Sequence, residues 1–403
     1  MITLRGIRVS QLSFAWVVVT ALVILSGPAQ SAKKLKSLTI LPSPGQIVIN
    51  GQKDVVISGV TITSNSGPCI QVINSSNVTI KSSRIGPCGK DKDPTNSWGI
   101  YVSGGSGINI FDNYVHVDNL ASNCRNSHVG IFVANASGVA MQGNVVAYGE
   151  KNILLWDSSN VSVTGNFLLN PRGAASCSNP DNLAGHQFQS WADDATPNQN
   201  VTVTYNYFLN SADTKFSYPG HVSDSISFGV TNNITASNNY VAGGWYQNGC
   251  GIIADYKANG AQFLNNVLSD NFGCGIGIAS GVNHTISGNK VLLLQPSSPA
   301  AAGITINGGA ACGDSKISVS YNLSYAMQAS GKWVQGYYDN GYCTSPALLG
   351  NTFDIGCKTG VNCAAYNSLY PISSTNPPPR IPPKPHACVA PSPYSNQTGA
   401  PPC

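Results

Sequence analysis

The chain has 403 residues, of which only 9% are charged, with 42 glycines and a formal net charge of +4. That length is ample for one elongated domain or two compact ones, and the scarcity of charge points to a surface of Asn, Ser, Thr and Gly rather than salt bridges. Lys and Arg form no stripe along the chain, so a nucleic-acid partner has no electrostatic footprint.

Residues 1–32 read as an export signal. Arg5 and Arg8 precede an apolar run from Phe14 to Leu25, interrupted only by Thr20, and small residues follow at Ala29, Ser31 and Ala32. The run is short for a membrane-spanning helix. An uncleaved anchor is the alternative, and no later segment is apolar enough to span a bilayer. All 12 cysteines lie beyond this segment, an even count that implies disulfides in an exported chain. CKTGVNC (Cys357 to Cys363) has no histidine pair nearby, so a thiolate metal site is not expected.

A short pattern then recurs: apolar, any, apolar, any, any, Asn, any, apolar. Its copies include INIFDNYV, VAMQGNVV, VSVTGNFL, VTVTYNYF, ITASNNYV and HTISGNKV, and they align Asn113, Asn144, Asn166, Asn206, Asn239, Asn266, Asn289, Asn322 and Asn351. Two earlier copies carry Val60 and Ser83 at that position. A second strand precedes most copies, as in GIYVSGGS, GIFVANAS, NILLWDSS, GIIADYKA and GIGIASGV. A unit this small cannot bury its own apolar face, so the units must stack. The expected fold is all-β, a single-stranded right-handed parallel β-helix of about ten to eleven rungs over residues 38–356. Each Asn sits at one corner, bonding its neighbours above and below, where left-handed backbone is tolerated. Extra residues enter mostly between the Asn-bearing strand and the next "GI" strand, so the long loops project from one edge.

The repeat resembles the right-handed parallel β-helix superfamily of pectate lyases, polygalacturonases, alginate lyases and epimerases. That resemblance implies action on acidic polysaccharides, although phage tailspikes and adhesins share the architecture.

Aligning the "GI" strands on Ile100, Ile131, Ile153, Phe188, Ile226 and Ile252 places residues one and three positions later outside. Tyr101, Phe132, Trp156 and Trp191 are then exposed rings suited to stacking on sugar faces, or to shielding by the loops above. Gln189 shares their face. Most of the acids and bases gather on four consecutive rungs. Glu150, the only glutamate of the chain, and Lys151 precede the Trp156 strand, and Asp157 ends it. His186 precedes the Trp191 strand, and Asp193 and Asp194 follow it. His221 and Asp224 come before the next strand, and Asp255 and Lys257 lie on the one after. In so weakly charged a chain this concentration points to a site. His116, His128 and His284 fall outside it and are expected at the surface or in turns.

Two chemistries fit. Hydrolysis would use one carboxyl as acid and another to activate water, a task open to Asp193 and Asp194 with His221. Elimination would use Lys151, Lys257, Arg172 or a histidine as base, with a cation or aspartate-held Ca²⁺ neutralising a substrate carboxylate. Epimerisation needs nearly the same parts. DKDPTN (Asp91 to Asn96) is read as a turn more than a calcium loop. Asp193–Asp194 and Gly220–His221 look like two elements of the polygalacturonase pattern, with Val222 in place of its second glycine and Asp255-Tyr256-Lys257 where that family has Arg-Ile-Lys. The resemblance implies a polysaccharide substrate and catalytic roles for these residues. A non-catalytic glycan-binding or structural protein is the alternative. The chain is expected to be a secreted monomer with no membrane span once the signal is removed.

Cys250 and Cys274 each precede the glycine of a "GI" strand, so they fall on consecutive rungs about 4.8 Å apart and are expected to form a disulfide, with stacked free thiols as the alternative. Residues 357–403 form a Cys- and Pro-rich tail, extended or polyproline-like from 371 onward. Sequons at Asn77, Asn200, Asn233 and Asn283 arise naturally in rungs rich in Asn and Thr.

Overall fold

The computed structural model describes residues 36–37, 45–89, 97–116, 129–171, 185–210, 223–243, 249–271, 273–293, 302–306, 316–327, 333–339 and 347–353. Each repeat forms one coil of three short strands. The coil that holds INIFDNYV shows the plan: Trp98–Ser103, Ser106–Phe111 and Tyr114–His116 follow one another across two-residue corners. These three directions build a first, a second and a third sheet. Successive coils stack in register, with Ile100 beside Ile131, Ile108 beside Val139 and Val115 beside Val146. The first sheet has eleven strands and the other two have twelve each. Every described pairing is parallel except that of Leu323–Met327 with Trp333–Val334. The fold is the expected right-handed parallel β-helix, with about eleven coils.

The period of two along each strand explains the core. Ile100 and Val102 on the first sheet and Ile108 and Ile110 on the second point inward and are fully buried. One apolar column runs from Ile47 to Ala326. Each buried Ile or Phe contributes roughly 1.5–3 kcal/mol, but only because the coils above and below close over it.

All nine repeat asparagines, Asn113 to Asn351, form a ladder at the corner between the second and third sheets. Asn206 is typical. Its Nδ2 donates to Val163 O at 2.8 Å and Asn239 Oδ1 at 3.1 Å, while its Oδ1 accepts from Asn166 N at 2.8 Å and Asn166 Nδ2 at 2.9 Å. The left-handed backbone expected of these asparagines belongs instead to the residue before each, as at Asp112, Tyr205, Asn265 and Tyr321. A second left-handed column opens the strands of the second sheet. It comprises Asp54, Asn77, Gly107, Gly138, Asn160, Asn200, Asn233, Gly260 and Asn283, all with φ between 52° and 65°. Asn, Asp and Gly fill it because they tolerate that conformation.

The four described cysteines pair as Cys69–Cys88 and, as expected from the repeat, Cys250–Cys274, with Cα atoms 5.4 and 4.4 Å apart. His116 and His284 are buried rather than at the surface. His284 Nδ1 accepts from Ala261 N and its Nε2 lies 3.1 Å from Ser280 O, so it is a satisfied interior group. His128 lies outside the described residues. Among the described residues no helix is long and apolar enough to cross a membrane.

Candidate functional site

The outer face of the first sheet carries the chemistry, and a local slip in alternation explains how. Pairing runs Lys151 beside His186 and then Ile153 beside Phe188, skipping Asn152 and Gln187. At that kink the strand changes side, so the residue two before each core position returns to the outer face. Read coil by coil, this outer row is Trp98, Val129, Lys151, His186, Asp224, Cys250 and Cys274. Adjacent members are one rung apart, about 4.8 Å.

Lys151 Nζ lies 2.6 Å from Glu150 Oε1, with the lysine side chain 20% exposed and the glutamate 4%. His186 is buried. Its Nδ1 lies 3.1 Å from the Asp224 carbonyl oxygen, and Gln189 Nε2 is 3.4 Å from its Nε2. A carbonyl only accepts, so Nδ1 carries the proton and Nε2 keeps its lone pair. Burial, reinforced by the charge of Lys151, lowers the imidazole to about 3, so it is neutral. Asp224 is buried as well. Its Oδ1 accepts from Cys250 N at 2.7 Å and its Oδ2 from Ser223 Oγ at 3.3 Å. Burial pushes its carboxyl up to about 7, with the Asp255 charge adding to the effect and the Cys250 N–H opposing it. Three consecutive rungs thus present a lysine paired with Glu150, an uncharged imidazole whose Nε2 lone pair accepts from Gln189, and a carboxyl that holds its proton near neutrality.

Aromatic rings flank this row on both sides. Trp98, Tyr101 and Phe132 form one patch, with ring centroids 4.3 to 5.4 Å apart. At the far edge of the sheet Trp156 pairs with Trp191. Trp191 lies across Gly229, where a Cβ would run into its six-membered ring, and it stacks on Tyr256 at 6.3 Å and 16°. Glycine at 229 therefore makes the room that this indole occupies.

Asp193 and Asp194 sit beyond that edge in an exposed turn closed by Thr196 N on Asp193 O at 3.0 Å. Asp193 N donates to Asp157 Oδ1 at 2.9 Å. Asp194 pairs with Lys257 and accepts from Tyr256 Oη at 3.3 Å. The Lys257 hydrogen bond holds the Asp194 carboxyl below its ordinary range and raises the lysine in turn. Asp255 is half-buried two coils on, its N–H on Phe228 O of the intervening coil at 2.7 Å. The structure thus separates the sequence-predicted residues into an inner group, with Glu150, His186 and Asp224 buried and Lys151 and Gln189 half-buried, and an exposed edge group of Asp193, Asp194 and Lys257, with Asp255 beside the latter. His221, Arg172 and Asp91–Asn96 lie outside the described residues. Sequence reasoning missed Trp98 and Tyr256. The signal for Trp98 was its place two residues before Ile100, where Lys151 and His186 stand in their own strands. Among the described residues no group of three His, Cys, Asp or Glu side chains could hold a metal ion.

Residues 45–212 match the family model described as a right handed beta helix region. No curated protein shows a significant match. Among solved structures, the Dettilon tailspike protein is similar over 76% of this chain and 62% of its own, at 14% identity and a TM-score of 0.53, a likeness of fold. DFA-IIIase from Arthrobacter chlorophenolicus A6 is 14% identical over 75% of this chain and 83% of its own, with a TM-score of 0.47. Alginate lyase from Paenibacillus sp. str. FPU-7 is 16% identical over 74% and 91%, with a TM-score of 0.49.

Proposed function

We propose that the protein is a secreted enzyme that cleaves an acidic polysaccharide by β-elimination on the outer face of the first sheet. The observation that carries this reading is the row Lys151, His186 and Asp224 on three consecutive rungs. Elimination needs a cation for the uronate carboxylate, a base for the proton beside it and an acid for the departing oxygen. Lys151 is assigned the first role, His186 Nε2 the second and Asp224 the third. Burial is the main cause of the low His186 pKa, and a substrate carboxylate paired with Lys151 offsets only the smaller part that comes from the lysine charge. The aromatic patch of Trp98, Tyr101 and Phe132 is assigned to sugar rings before the row, and Trp156 and Trp191 to rings at its far edge. The two disulfides support secretion, since such bonds persist in oxidising compartments.

Hydrolysis is the second reading. Glu150 and Asp224 lie on coils two rungs apart, about 9.6 Å by rung spacing, just beyond the separation of about 6.5–9.5 Å in inverting glycosidases. The polygalacturonase-like use of Asp193 and Asp194 fits less well, because Lys257 favours an ionised Asp194 that cannot donate a proton.

The test is incubation of the purified protein with acidic and neutral polysaccharides, following reducing ends and the absorbance of unsaturated uronates. Unsaturation that is lost in His186→Ala supports elimination. Reducing ends without unsaturation support hydrolysis. Binding without turnover across a broad panel would make this a glycan-binding protein.

A further inference from the structure

The residue just before the core position of each first-sheet strand points into the corner with the third sheet. From the coil of Ile100 onward it is Gly99, Gly130, Gly251, Gly275, Gly303 and Gly336. These corners are tight: a Cβ on Gly130 would meet the Val146 side chain, and one on Gly275 the Val291 side chain. Only the three coils that carry Lys151, His186 and Asp224 depart from glycine, with Asn152, Gln187 and Ser225. All three side chains are buried.

Hydrogen bonds join them into a chain. Asn152 Nδ2 donates to Gln187 Oε1 at 2.6 Å, Gln187 Nε2 to Asn210 Oδ1 at 2.7 Å, and Asn210 Nδ2 to Ser225 Oγ at 2.9 Å. The same amides grip the backbone on both sides of the corner. Asn152 Oδ1 accepts from Gly149 N at 3.0 Å, just before Glu150 and Lys151. Asn152 Nδ2 donates to Leu169 O at 3.0 Å, Gln187 Nε2 to Leu209 O at 2.8 Å and Asn210 Nδ2 to Gly243 O at 3.2 Å. Leu169 and Leu209 end strands of the third sheet, and Gly243 directly follows one. Glycine would build the same corner without burying polar groups, which are costly wherever a partner is missing. The long asparagine ladder does not account for this chain either, since it runs at a different corner and through coils that lack the row.

We propose that Asn152, Gln187, Asn210 and Ser225 form a positioning network for Lys151, His186 and Asp224, with Gln187 as its central member. The proposal rests on the reading of that row as the acid/base centre. Gln187 acts through the backbone it shares with His186 and through the strand ends it ties together. Without it the corner relaxes, water reaches the imidazole, and the three groups lose their spacing.

The experiment uses the full chain with Gln187→Leu, Gln187→Glu and the milder Asn210→Ser, each checked for folding by circular dichroism. The His186 imidazole is followed by nitrogen-labelled NMR against pH, in the presence of its charged neighbours Glu150, Lys151 and Asp224. The expected result is a His186 midpoint that rises toward the ordinary histidine value in Gln187→Leu. On whichever polysaccharide the wild type cleaves, kcat falls roughly 10- to 100-fold while KM stays within about twofold. A lower melting temperature with His186 titration and kcat unchanged in every folded variant would overturn the proposal and leave the network merely structural. Should Gln187→Leu not fold, Gln187→Glu and Asn210→Ser carry the same measurements. A wild type that cleaves nothing sinks the enzymatic reading, and the NMR titration then decides the network alone.

Discussion

Asp224→Asn should abolish turnover and yet make the protein more stable at alkaline pH. The folded carboxyl stands at about 7 against an ordinary 3.8, chiefly through burial. Between those two values the folded state keeps a proton that the unfolded state releases. The neutral carboxyl therefore contributes full stability below pH 3.8, and that contribution is lost as pH rises through 7. At about 1.4 kcal/mol for each pH unit, the loss above pH 7 amounts to about 4 kcal/mol. Asparagine keeps an oxygen for the Cys250 N–H and never acquires charge, so it escapes the loss. Urea unfolding of both proteins from pH 4 to pH 9 measures the effect. Other titrating groups cancel in the comparison, which isolates position 224. The curves should nearly coincide at pH 4 and diverge by about 4 kcal/mol at pH 8, with the variant the more stable. A variant less stable than wild type at pH 8, or a difference that does not change with pH, would refute the argument and mean that Asp224 is ionised in the folded protein.

Burial lowers His116 to about 4, His186 to about 3 and His284 to about 4, so the unfolded chain takes up protons below pH 6.5 that the folded chain refuses. Stability contributed by these histidines is complete above pH 6.5 and should be lost as pH falls toward 4, measurable as proton uptake on unfolding at pH 5; no uptake would contradict it. Asn206→Ala removes four hydrogen bonds and strands Asn166 N–H and Val163 C=O, at about 3–5 kcal/mol, with hydrogen exchange speeding up first at Asn166. Replacing Cys250 and Cys274 together by serine should cost about 3 kcal/mol, given a sequence separation of 24 residues, and peptide maps of the unreduced wild type should show this link. Gly229→Ala should displace Trp191, seen as a change in tryptophan fluorescence, and raise KM for a polysaccharide more than it lowers kcat.

The fold was legible because a stacked solenoid repeats its constraints. The same Asn returned at one register from Asn113 to Asn351, and each strand alternated with period two, so coil number, register and the Cys250–Cys274 pair could be read by counting. The site was legible at the level of rungs, since charge is scarce and gathers around Glu150, His186 and Asp224. Its geometry was not. Strict alternation turns Lys151, His186 and Asp224 inward; only the kink at Asn152 and Gln187 returns them to the outer face. Exposure was hidden as well. Adjacent aspartates looked like an acid/base pair, but Lys257 reaches Asp194 across 63 residues of sequence, and no local pattern announces that contact.

The left-handed column along the second sheet bears on how the protein is produced. An asparagine in that conformation is followed by one residue pointing into the core and then by one pointing out, where Thr or Ser suits a solvated sheet. Asn77-Val78-Thr79, Asn160-Val161-Ser162, Asn200-Val201-Thr202 and Asn233-Ile234-Thr235 all follow from that geometry, and each spells a glycosylation acceptor. Secretion through a eukaryotic host would expose this accidental lettering to oligosaccharide transfer. Asn160, Asn200 and Asn233 stand on consecutive coils about 4.8 Å apart, too close for neighbouring glycans. Material made that way would be a mixture of molecules decorated at alternative positions, whereas a bacterial host without the transferase would yield a single species.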